Sequence, residues 1–513
     1  MTEIEKVVHQ FELKQKVGLY LGPFLALVIL IFFDLDPANP LVGRTAAVAL
    51  LMAVWWITEA IPIAATALLP VVLFPLFGVM SGKDVAPEYF NNVIFLFIGG
   101  FIIALAMQKW NLHRRIALKI MLLIGVSPRK LLLGFMVATA FLSMWISNTA
   151  TTMMMIPIVL AVIDKLEENF GSEAIGRLPA GLLIGIAYSA SIGGIATLIG
   201  TPPNLAFIRI FKIYFPESPE ISFASWLMFG LPFAIVFLLI AWQMLIWMFF
   251  PRKRELKTDA QLFRDEYRQL GKIKYEEKVV LLIFMAVALL WIFRQNINIG
   301  GLTIPGWSGL FPEKSFIDDG TVAITMALLF FVIPTRTKGK GPALMDWHTA
   351  VRLPWGIVIL FGGGFALAAG FEQSGLSAWL GGNLTAFSQF PPLLIIISVC
   401  LMMTFLTELT SNTATTQMIL PILASLSVAI KINPLMLMIP ATLSASCAFM
   451  LPVATPPNAI IFGSGRLTVN QLARTGILLN LIGVIIITLA IYTLGDYVFN
   501  LNTGMFPDWG FIQ

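Results

Sequence analysis

The sequence alternates long apolar runs with short polar loops over almost its entire length. Many of these runs approach the roughly 20 residues that a helix needs to cross the hydrocarbon core of a bilayer. Eleven transmembrane spans are predicted, at residues 17–33, 43–57, 60–80, 91–108, 180–212, 225–250, 278–294, 320–334, 354–371, 435–465 and 471–496. The pattern therefore predicts an all-α polytopic membrane protein embedded in a lipid bilayer.

Two further apolar regions, residues 131–163 and 391–429, carry the same polar hexapeptide SNTATT near their middle. As one straight helix the first region would be about 50 Å long, which is too long for a single crossing. A polar segment at the centre favours two half-length helices that enter and leave on the same side of the membrane. Both regions are therefore predicted to be re-entrant hairpins with SNT at their tips.

Lysine and arginine in the loops indicate the orientation of the chain, because they collect on the cytoplasmic side. With two hairpins and a cytoplasmic N-terminus, the basic loops 109–130, 251–278 and 335–353 all lie inside, and the second contains nine Lys and Arg residues. The loop 372–390 and the tail 497–513 contain neither residue type and lie outside. We therefore predict a cytoplasmic N-terminus and an extracytoplasmic C-terminus.

An internal repeat relates the two halves of the sequence. One alignment of the chain with itself, the first register, places Gly99-Gly100-Phe101 on Gly363-Gly364-Phe365 and one SNTATT on the other without a gap. A slightly different alignment, the second register, places the TPPN at 201–204 on the TPPN at 455–458. Five predicted crossings separate the copies, so they are inverted in the membrane. Inverted repeats are typical of secondary transporters that bind their substrate at the membrane midplane.

Each TPPN motif lies inside a predicted span. Consecutive prolines cannot continue a helix, because each lacks an N–H group and clashes with the preceding turn. Both spans are therefore predicted to be broken helices. Unwound backbone at membrane depth is tolerated where it lines a cavity or is buried in protein, so the breaks are expected to border a binding site.

The predicted tips and breaks offer hydroxyls, amides, free carbonyls and helix N-termini. Such oxygens suit a small hard cation, and helix N-termini suit the carboxylates of an anion. No Lys, Arg or His occurs at residues 131–163, 187–207 or 391–430. A dianion at a low-dielectric site needs compensating charge, and co-bound cations can supply it. The sequence therefore favours transport of an anion coupled to an inorganic cation.

Other classes of function find little support in the sequence. The formal net charge is +5, but the basic residues lie in short loops, so a nucleic-acid partner is not expected. Cys400 and Cys447 lie in apolar segments and indicate neither a disulfide nor a thiolate metal site. The sequence contains neither a GxSxG nor an HExxH motif, so an intramembrane enzyme is not expected.

Paired SNT and TPPN motifs in inverted repeats resemble the divalent anion:sodium symporters, which include bacterial dicarboxylate transporters and animal carriers of citrate, dicarboxylates and sulfate. Residues 445–461 also resemble the signature of that family, with Ile461 where valine is usual. The resemblance implies Na⁺-coupled symport of C4-dicarboxylates (succinate, malate or fumarate) across the bacterial inner (plasma) membrane. A dicarboxylate exchanger, or a symporter of citrate or sulfate, remains an alternative.

The resemblance also implies the ligands of both ions and of the substrate. Site 1 for Na⁺ would comprise Ser143, Ser147, Asn148 and the backbone near Gly200. Site 2 for Na⁺ would comprise Thr407, Thr410, Asn412 and the backbone at Ala454. The substrate carboxylates would contact Asn148, Thr149, Thr201, Asn412, Thr413 and Thr455.

The family architecture implies two kinds of domain. Residues 1–128 and 275–390 would form a scaffold that makes a homodimer, and residues 129–274 and 391–513 a transport domain that moves as an elevator. Two acidic residues stand near apolar sequence in these regions. For Glu408, a salt bridge or a helix cap is preferred to a proton-carrying or cation-binding role, and Glu59 is expected at the membrane interface.

Overall fold

The computed structural model describes residues 12–125, 127–250, 261–299, 302–337, 339, 341–501 and 506–510. Most of these residues are helical, and the described strands form one antiparallel hairpin in which β1 (Ile297–Ile299) pairs with β2 (Leu302–Ile304). The polar N-terminal segment before residue 12, residues 251–260 of the predicted basic loop and parts of the C-terminal tail lie outside the described residues.

Fourteen α-helices lie in the described residues up to residue 269. They are α1 (Leu13–Phe32), α2 (Pro40–Thr58), α3 (Ile63–Thr66), α4 (Leu69–Phe77), α5 (Gly82–Tyr89), α6 (Asn92–Lys109), α7 (Leu112–Ile124), α8 (Pro128–Ser143), α9 (Asn148–Phe170), α10 (Ser172–Ile175), α11 (Leu178–Ile195), α12 (Pro202–Tyr214), α13 (Phe223–Phe249) and α14 (Gln261–Gln269).

Eleven further α-helices follow in the described part of the second half. They are α15 (Tyr275–Ile292), α16 (Asp319–Val332), α17 (Trp347–Ala350), α18 (Trp355–Gln373), α19 (Leu376–Leu384), α20 (Pro392–Thr407), α21 (Asn412–Ala429), α22 (Leu435–Ala445), α23 (Pro456–Phe462), α24 (Val469–Ala490) and α25 (Asp496–Phe499). A π-helical turn at Ile491–Gly495 joins the last two.

Prolines set the starts of the helices that build the centre of the protein. Pro128 and Pro392 begin α8 and α20, and Pro202 and Pro456 begin α12 and α23. Proline suits the first turn of a helix, because its missing N–H would have no partner there. The first register pairs the starts of α8 and α20, and the second register pairs the starts of α12 and α23.

Four interruptions follow from this arrangement. The first tip (residues 144–147) separates α8 from α9, and the second tip (residues 408–411) separates α20 from α21. The first break (residues 196–201) separates α11 from α12, and the second break (residues 446–455) separates α22 from α23. Both breaks end at a TPPN motif, as the consecutive prolines predict.

Eight helical segments of the described residues are long and apolar enough to cross a membrane. Three shorter apolar segments, Ile63–Phe77, Asp319–Val332 and Leu435–Ala445, coincide with further predicted spans. One of the eight segments is Asn148–Phe170, although the sequence pattern predicts that it is one arm of a hairpin. The count of eleven spans and the inversion of the repeats therefore stay predictions.

Two segments that the sequence reading takes as loops are helical instead. Residues 112–124 form α7, which buries Leu112, Arg115 and Leu118 at helical spacing. Residues 376–384 form α19, and the axis from this segment into α20 bends by 119°. Short amphipathic helices lack a long apolar run, so hydropathy alone does not distinguish them from loops.

α11 lies at the centre of the protein. Every residue from Leu178 to Ile195 is buried, and the helix contacts α8, α9, α13 and α23. By contrast, α1 exposes large apolar side chains, among them Tyr20, Phe24 and Phe32. Exposed apolar side chains on such helices suit contact with lipid. The fully buried α11, by contrast, holds the first break inside the protein.

Candidate functional site

A cavity of about 680 Å³ lies where the two tips and the two breaks meet. Its walls also include residues of the first half of the chain near Glu59 and Phe101, and residues of α18 near Leu360. In the part of the chain that the structure describes, Lys14 is the only cationic side chain that lines it, and the tips contribute none. Two of its lining residues, Lys14 and Glu59, are on the side that the sequence predicts to be cytoplasmic.

The cavity brings together most of the residues that the sequence proposes. All six proposed substrate ligands line it, namely Asn148, Thr149, Thr201, Asn412, Thr413 and Thr455. Of the proposed cation ligands, Ser147, Gly200, Thr410 and Ala454 also line it. The remaining two, Ser143 and Thr407, lie behind the cavity wall and are fully buried.

The first tip presents Asn148 as the first residue of α9. The Ser147 hydroxyl caps this helix by accepting a hydrogen bond from the Ala150 N–H (3.3 Å). Ser143 Oγ lies 2.6 Å from Asn148 Oδ1 and 2.7 Å from the Ala190 carbonyl oxygen. These contacts fix the Asn148 side chain between the end of α8 and the buried helix α11.

A side chain of the TPPN motif holds the first break in place. Asn204 Nδ2 donates to the carbonyl oxygens of Thr197 (2.7 Å), Ile195 (3.3 Å) and Gly194 (3.4 Å). The Thr197 hydroxyl donates to the Met144 carbonyl of the first tip (2.5 Å), so the tip and the break are joined directly. Unwound backbone is thus held by side-chain hydrogen bonds where helical ones are missing.

Oxygen atoms from the first tip and the first break converge at Gly194. A Cβ atom built on Gly194 would lie 2.7 Å from Asn148 Oδ1 and 3.1 Å from the Gly200 carbonyl oxygen. Together with Ser143 Oγ beside Asn148, these atoms form a cluster of uncharged oxygens. Hard cations are bound by such hydroxyl, amide and carbonyl oxygens, so this cluster fits site 1.

The second tip has the same plan, with a serine cap before the first residue of the following helix. The Ser411 hydroxyl caps α21 through the Ala414 N–H (3.5 Å), and Thr410 Oγ1 lies 2.6 Å from Thr415 Oγ1. Asn412 Oδ1 is buried and has no hydrogen-bond partner among the described residues. A buried acceptor without a donor is costly, so this oxygen fits a cation ligand of site 2.

The second break repeats the anchoring of the first. Asn458 Nδ2 donates to the carbonyl oxygens of Ala448 (3.2 Å) and Leu451 (3.1 Å). The second register carries these two acceptors onto Gly194 and Thr197, the acceptors of Asn204. The asparagine of each TPPN motif therefore holds the equivalent stretch of unwound backbone, a role that the sequence reading did not assign.

Of the two roles that the sequence prefers for Glu408, a salt bridge or a helix cap, the structure shows the cap. No ion pair among the described residues includes it. It caps the C-terminal end of α20, and its carboxylate accepts hydrogen bonds from the second break. Glu59 is exposed, lines the cavity and has a left-handed backbone conformation (φ 51°), and its location at the membrane interface stays a prediction.

A helical membrane fold with a polar cavity at paired tips and breaks defines a membrane transport protein and not an enzyme. The chain belongs to the sodium:sulfate symporter family, because the model of the sodium:sulfate symporter transmembrane region matches residues 19–501. This confirms the resemblance to the divalent anion:sodium symporters.

Curated relatives cover almost the whole chain. It is 48% identical over 497 residues to the sodium-dependent dicarboxylate transporter SdcS of Staphylococcus aureus strain MSSA476, covering 96% of this chain and 93% of that protein. It is 45% identical over 499 residues to SdcS of Staphylococcus saprophyticus, again covering 96% of this chain and 93% of the relative.

Solved structures of more distant transporters share the fold. The YdaH transporter of Alcanivorax borkumensis matches with a TM-score of 0.56 at 13% identity, covering 88% of this chain and 98% of that one. MtrF of Neisseria gonorrhoeae matches with a TM-score of 0.55 at 14% identity, covering 83% and 84%. At this identity the likeness concerns the fold alone.

Proposed function

We propose that the protein is a secondary active transporter that couples the movement of a C4-dicarboxylate (succinate, malate or fumarate) to Na⁺. The observation that carries this proposal is the cavity, where each tip and break supplies uncharged oxygens and no cationic side chain. Bound Na⁺ ions would compensate the two carboxylates, and the N-terminal ends of α9, α12, α21 and α23 would face them. The names of the relatives support sodium and a dicarboxylate.

In proteoliposomes of the purified protein, an inward Na⁺ gradient should drive succinate uptake at least about tenfold above the level with K⁺, because the unloaded cation sites leave the dianion uncompensated. The measurement is the uptake of labelled succinate with external NaCl, compared with its uptake with external KCl. Equal uptake in both salts would refute Na⁺ coupling. Uptake that requires internal succinate and ignores Na⁺ would establish the exchanger instead.

The preferred anion is the second question for the same assay. The description of the family names sulfate, so sulfate is a specific competitor to test. We expect excess malate or fumarate to suppress labelled succinate uptake, and citrate or sulfate to suppress it weakly. Stronger competition by sulfate or citrate would reassign the substrate without affecting the Na⁺ dependence.

Transport is proposed to occur as an elevator movement of residues 129–274 and 391–513 against a dimeric scaffold of residues 1–128 and 275–390. The backbone approaches under 3.0 Å at glycines support this division, because they fall within each proposed domain. A Cβ on Gly99 would meet the backbone of Ala323 at 2.6 Å, inside the scaffold, and one on Gly193 would overlap the Ala140 carbonyl, inside the transport domain. Between the domains, Gly364 instead faces the side chain of Gln417.

Ion pairs cross this proposed boundary on both sides, the Arg114–Glu266 pair on the predicted cytoplasmic side and two others on the opposite side. Arg209 of α12 donates to both carboxylate oxygens of Glu88 in α5 (3.0 and 2.8 Å). Arg294 at the end of α15 pairs with Glu220 and, at 2.6 Å, with Asp319. Movement of one domain past the other would break the Arg209–Glu88 and Arg294–Glu220 pairs, so they should stabilise the conformation that the structure has.

Replacing both Glu88 and Glu220 by Gln should therefore lower the ratio of this conformation to the alternative one by about threefold, because partly buried ion pairs of this kind contribute modestly. The readout is labelling of Val453→Cys, whose position is 83% exposed in the cavity, by an impermeant thiol reagent from the predicted cytoplasmic side. Cys400 and Cys447 are both buried and should stay unlabelled.

Asp346→Asn is the matched control for this experiment. Asp346 pairs with Lys109 at 2.6 Å, and that hydrogen bond lowers its pKa to about 2, but both partners belong to the proposed scaffold. The control should leave the labelling rate unchanged. Unchanged labelling in the Glu88 and Glu220 variant as well would show that these pairs do not stabilise this conformation.

A further inference from the structure

Glu408 is a carboxylate placed at the base of the second tip, directly after α20, and is only 3% exposed. Its Oε1 accepts hydrogen bonds from Met450 N (2.9 Å) and Asn480 Nδ2 (2.7 Å), and its Oε2 accepts one from Leu451 N (3.0 Å). All three observed bonds use the carboxyl oxygens as acceptors, which suits an ionised carboxylate. No cationic side chain pairs with it in the described ranges of the chain.

These bonds fix the backbone of the second break. Leu451 is held at its N–H by Glu408 and at its carbonyl by Asn458 Nδ2. Further along the same break is Ala454, whose backbone is proposed for site 2 and which lines the cavity. Glu408 itself stands between Thr407 and the second tip, so it connects the proposed side-chain ligands to the proposed backbone ligand.

The first repeat performs the same connection without a charge. The first register carries Glu408 onto Met144, and the second register carries Leu451 onto Thr197. In the first half the Thr197 hydroxyl donates to the Met144 carbonyl oxygen (2.5 Å), so a neutral hydrogen bond joins tip and break. In the second half the break supplies backbone N–H donors and the tip supplies a carboxylate.

The two repeats also differ in the helix that follows each TPPN helix. The second register carries Asn480 of α24 onto Trp226 of α13. Trp226 Nε1 donates to the Ile195 carbonyl oxygen (3.0 Å) at the start of the first break, whereas Asn480 donates to Glu408. The second repeat therefore carries a fixed carboxylate and a donor that orients it, and the first repeat carries neither at these positions.

We propose that Glu408 is a positioning residue of the second cation site, where it orients the second break and makes the second site bind Na⁺ more tightly than the first. This inference rests on the proposed function. At an effective dielectric constant of ~20, a unit negative charge strengthens the binding of a cation by roughly tenfold even at a separation of ~10 Å. At the position equivalent to Glu408 the first site has Met144, so the two sites differ although their motifs are identical.

Glu408→Gln tests this role, because it keeps the shape of the side chain, removes the charge and turns an NH₂ group towards an N–H donor. The Na⁺ concentration that gives half-maximal succinate uptake should rise about tenfold, while the KM for succinate at saturating Na⁺ should change less than about threefold. In detergent, the increase in Tm caused by Na⁺ alone should require a similarly higher Na⁺ concentration.

Glu277→Gln is the matched control, because Glu277 is another buried carboxylate but pairs with Arg115 in the proposed scaffold (3.0 Å). It should lower Tm without changing the Na⁺ dependence. If Glu408→Gln does likewise, the carboxylate is merely structural and the inference fails. If Glu408→Gln cannot be purified, Asn480→Ala decides, because it removes only the orienting donor: a rise of about threefold in half-saturating Na⁺ supports the inference, and no rise overturns it.

The wild-type protein separates this inference from the proposed function. Uptake by the wild type that is equal in Na⁺ and K⁺ would refute the proposed function itself. Na⁺-driven uptake by the wild type, combined with a wild-type Na⁺ dependence in Glu408→Gln, would refute only the role of Glu408.

Discussion

Replacement of Asn148 or of Asn412 by Ala is expected to reduce Na⁺-driven succinate uptake to below about 1% of the wild-type rate. Each asparagine is the first residue of the helix that follows a tip, and each lines the cavity. Asn148 Oδ1 belongs to the oxygen cluster at Gly194, and Asn412 Oδ1 is a buried acceptor without a partner in the described residues. Alanine removes this proposed cation ligand and, at the same time, an amide donor for the substrate carboxylate. A hundredfold loss corresponds to about 2.7 kcal/mol, which is in the range for removing a polar side chain that meets two charged ligands.

The control for this pair is Asn383→Ala. Asn383 is also an asparagine on a helix, but it is exposed on α19, donates to the Trp379 carbonyl oxygen and does not line the cavity. It should transport at the wild-type rate. Yield and a monodisperse peak in size-exclusion chromatography show whether the cavity variants fold. Folded Asn148→Ala and Asn412→Ala proteins that both keep their uptake would refute the site assignment.

The sequence predicts the central helices well because their ends are determined locally. Proline pairs and serine caps terminate helices through their own backbone chemistry, so the starts of α12 and α23 and the caps of α9 and α21 follow from single residues. The helices α7 and α19 are missed, because each is short and is stabilised by one face that packs on the rest of the protein. Hydropathy measures average apolarity and does not register such a face.

The candidate site is also predictable in part, because its polar residues belong to short sequence motifs. An exact repeat of a polar motif in apolar sequence has few structural explanations, so the motif residues could be predicted to form a site. In the structure these residues, at the tips and breaks, meet in the cavity. Phe101 and Leu360, which complete the wall, carry no polar signal and are brought there only by packing. The hydrogen bond between Glu408 and Asn480 joins residues 72 positions apart, so no local sequence pattern predicts it.

Symmetry of sequence also conceals differences between the two halves. The motifs SNTATT and TPPN are identical in both copies, and Asn204 and Asn458 anchor equivalent backbone. The residues around them are not identical, since Glu408 and Asn480 replace Met144 and Trp226. The chemistry of the two cation sites is therefore set partly by residues outside the repeated motifs.

Gly194→Ala is expected to cause the second large loss, reducing Na⁺-driven uptake by about a hundredfold. The new Cβ would lie 2.7 Å from Asn148 Oδ1 and 3.1 Å from the Gly200 carbonyl oxygen, so it would separate the oxygens that are proposed to bind the first Na⁺. Gly194 lies within α11, where alanine is favoured over glycine by about 1 kcal/mol. The helix itself therefore gives no reason for a loss of folding.

Two controls make this prediction specific to site 1. A Cβ on Gly82 would meet nothing within 4 Å, so Gly82→Ala should transport normally. The second register carries Gly194 onto Ala448, which already has a Cβ, so Ala448→Gly should change the Na⁺ dependence by less than about threefold. A Gly194→Ala protein with the wild-type half-saturating Na⁺ concentration would show that Asn148 and Gly200 do not share a cation. Loss of Na⁺ binding in Gly194→Ala, with both controls active, would instead place the first Na⁺ where the first tip meets the first break.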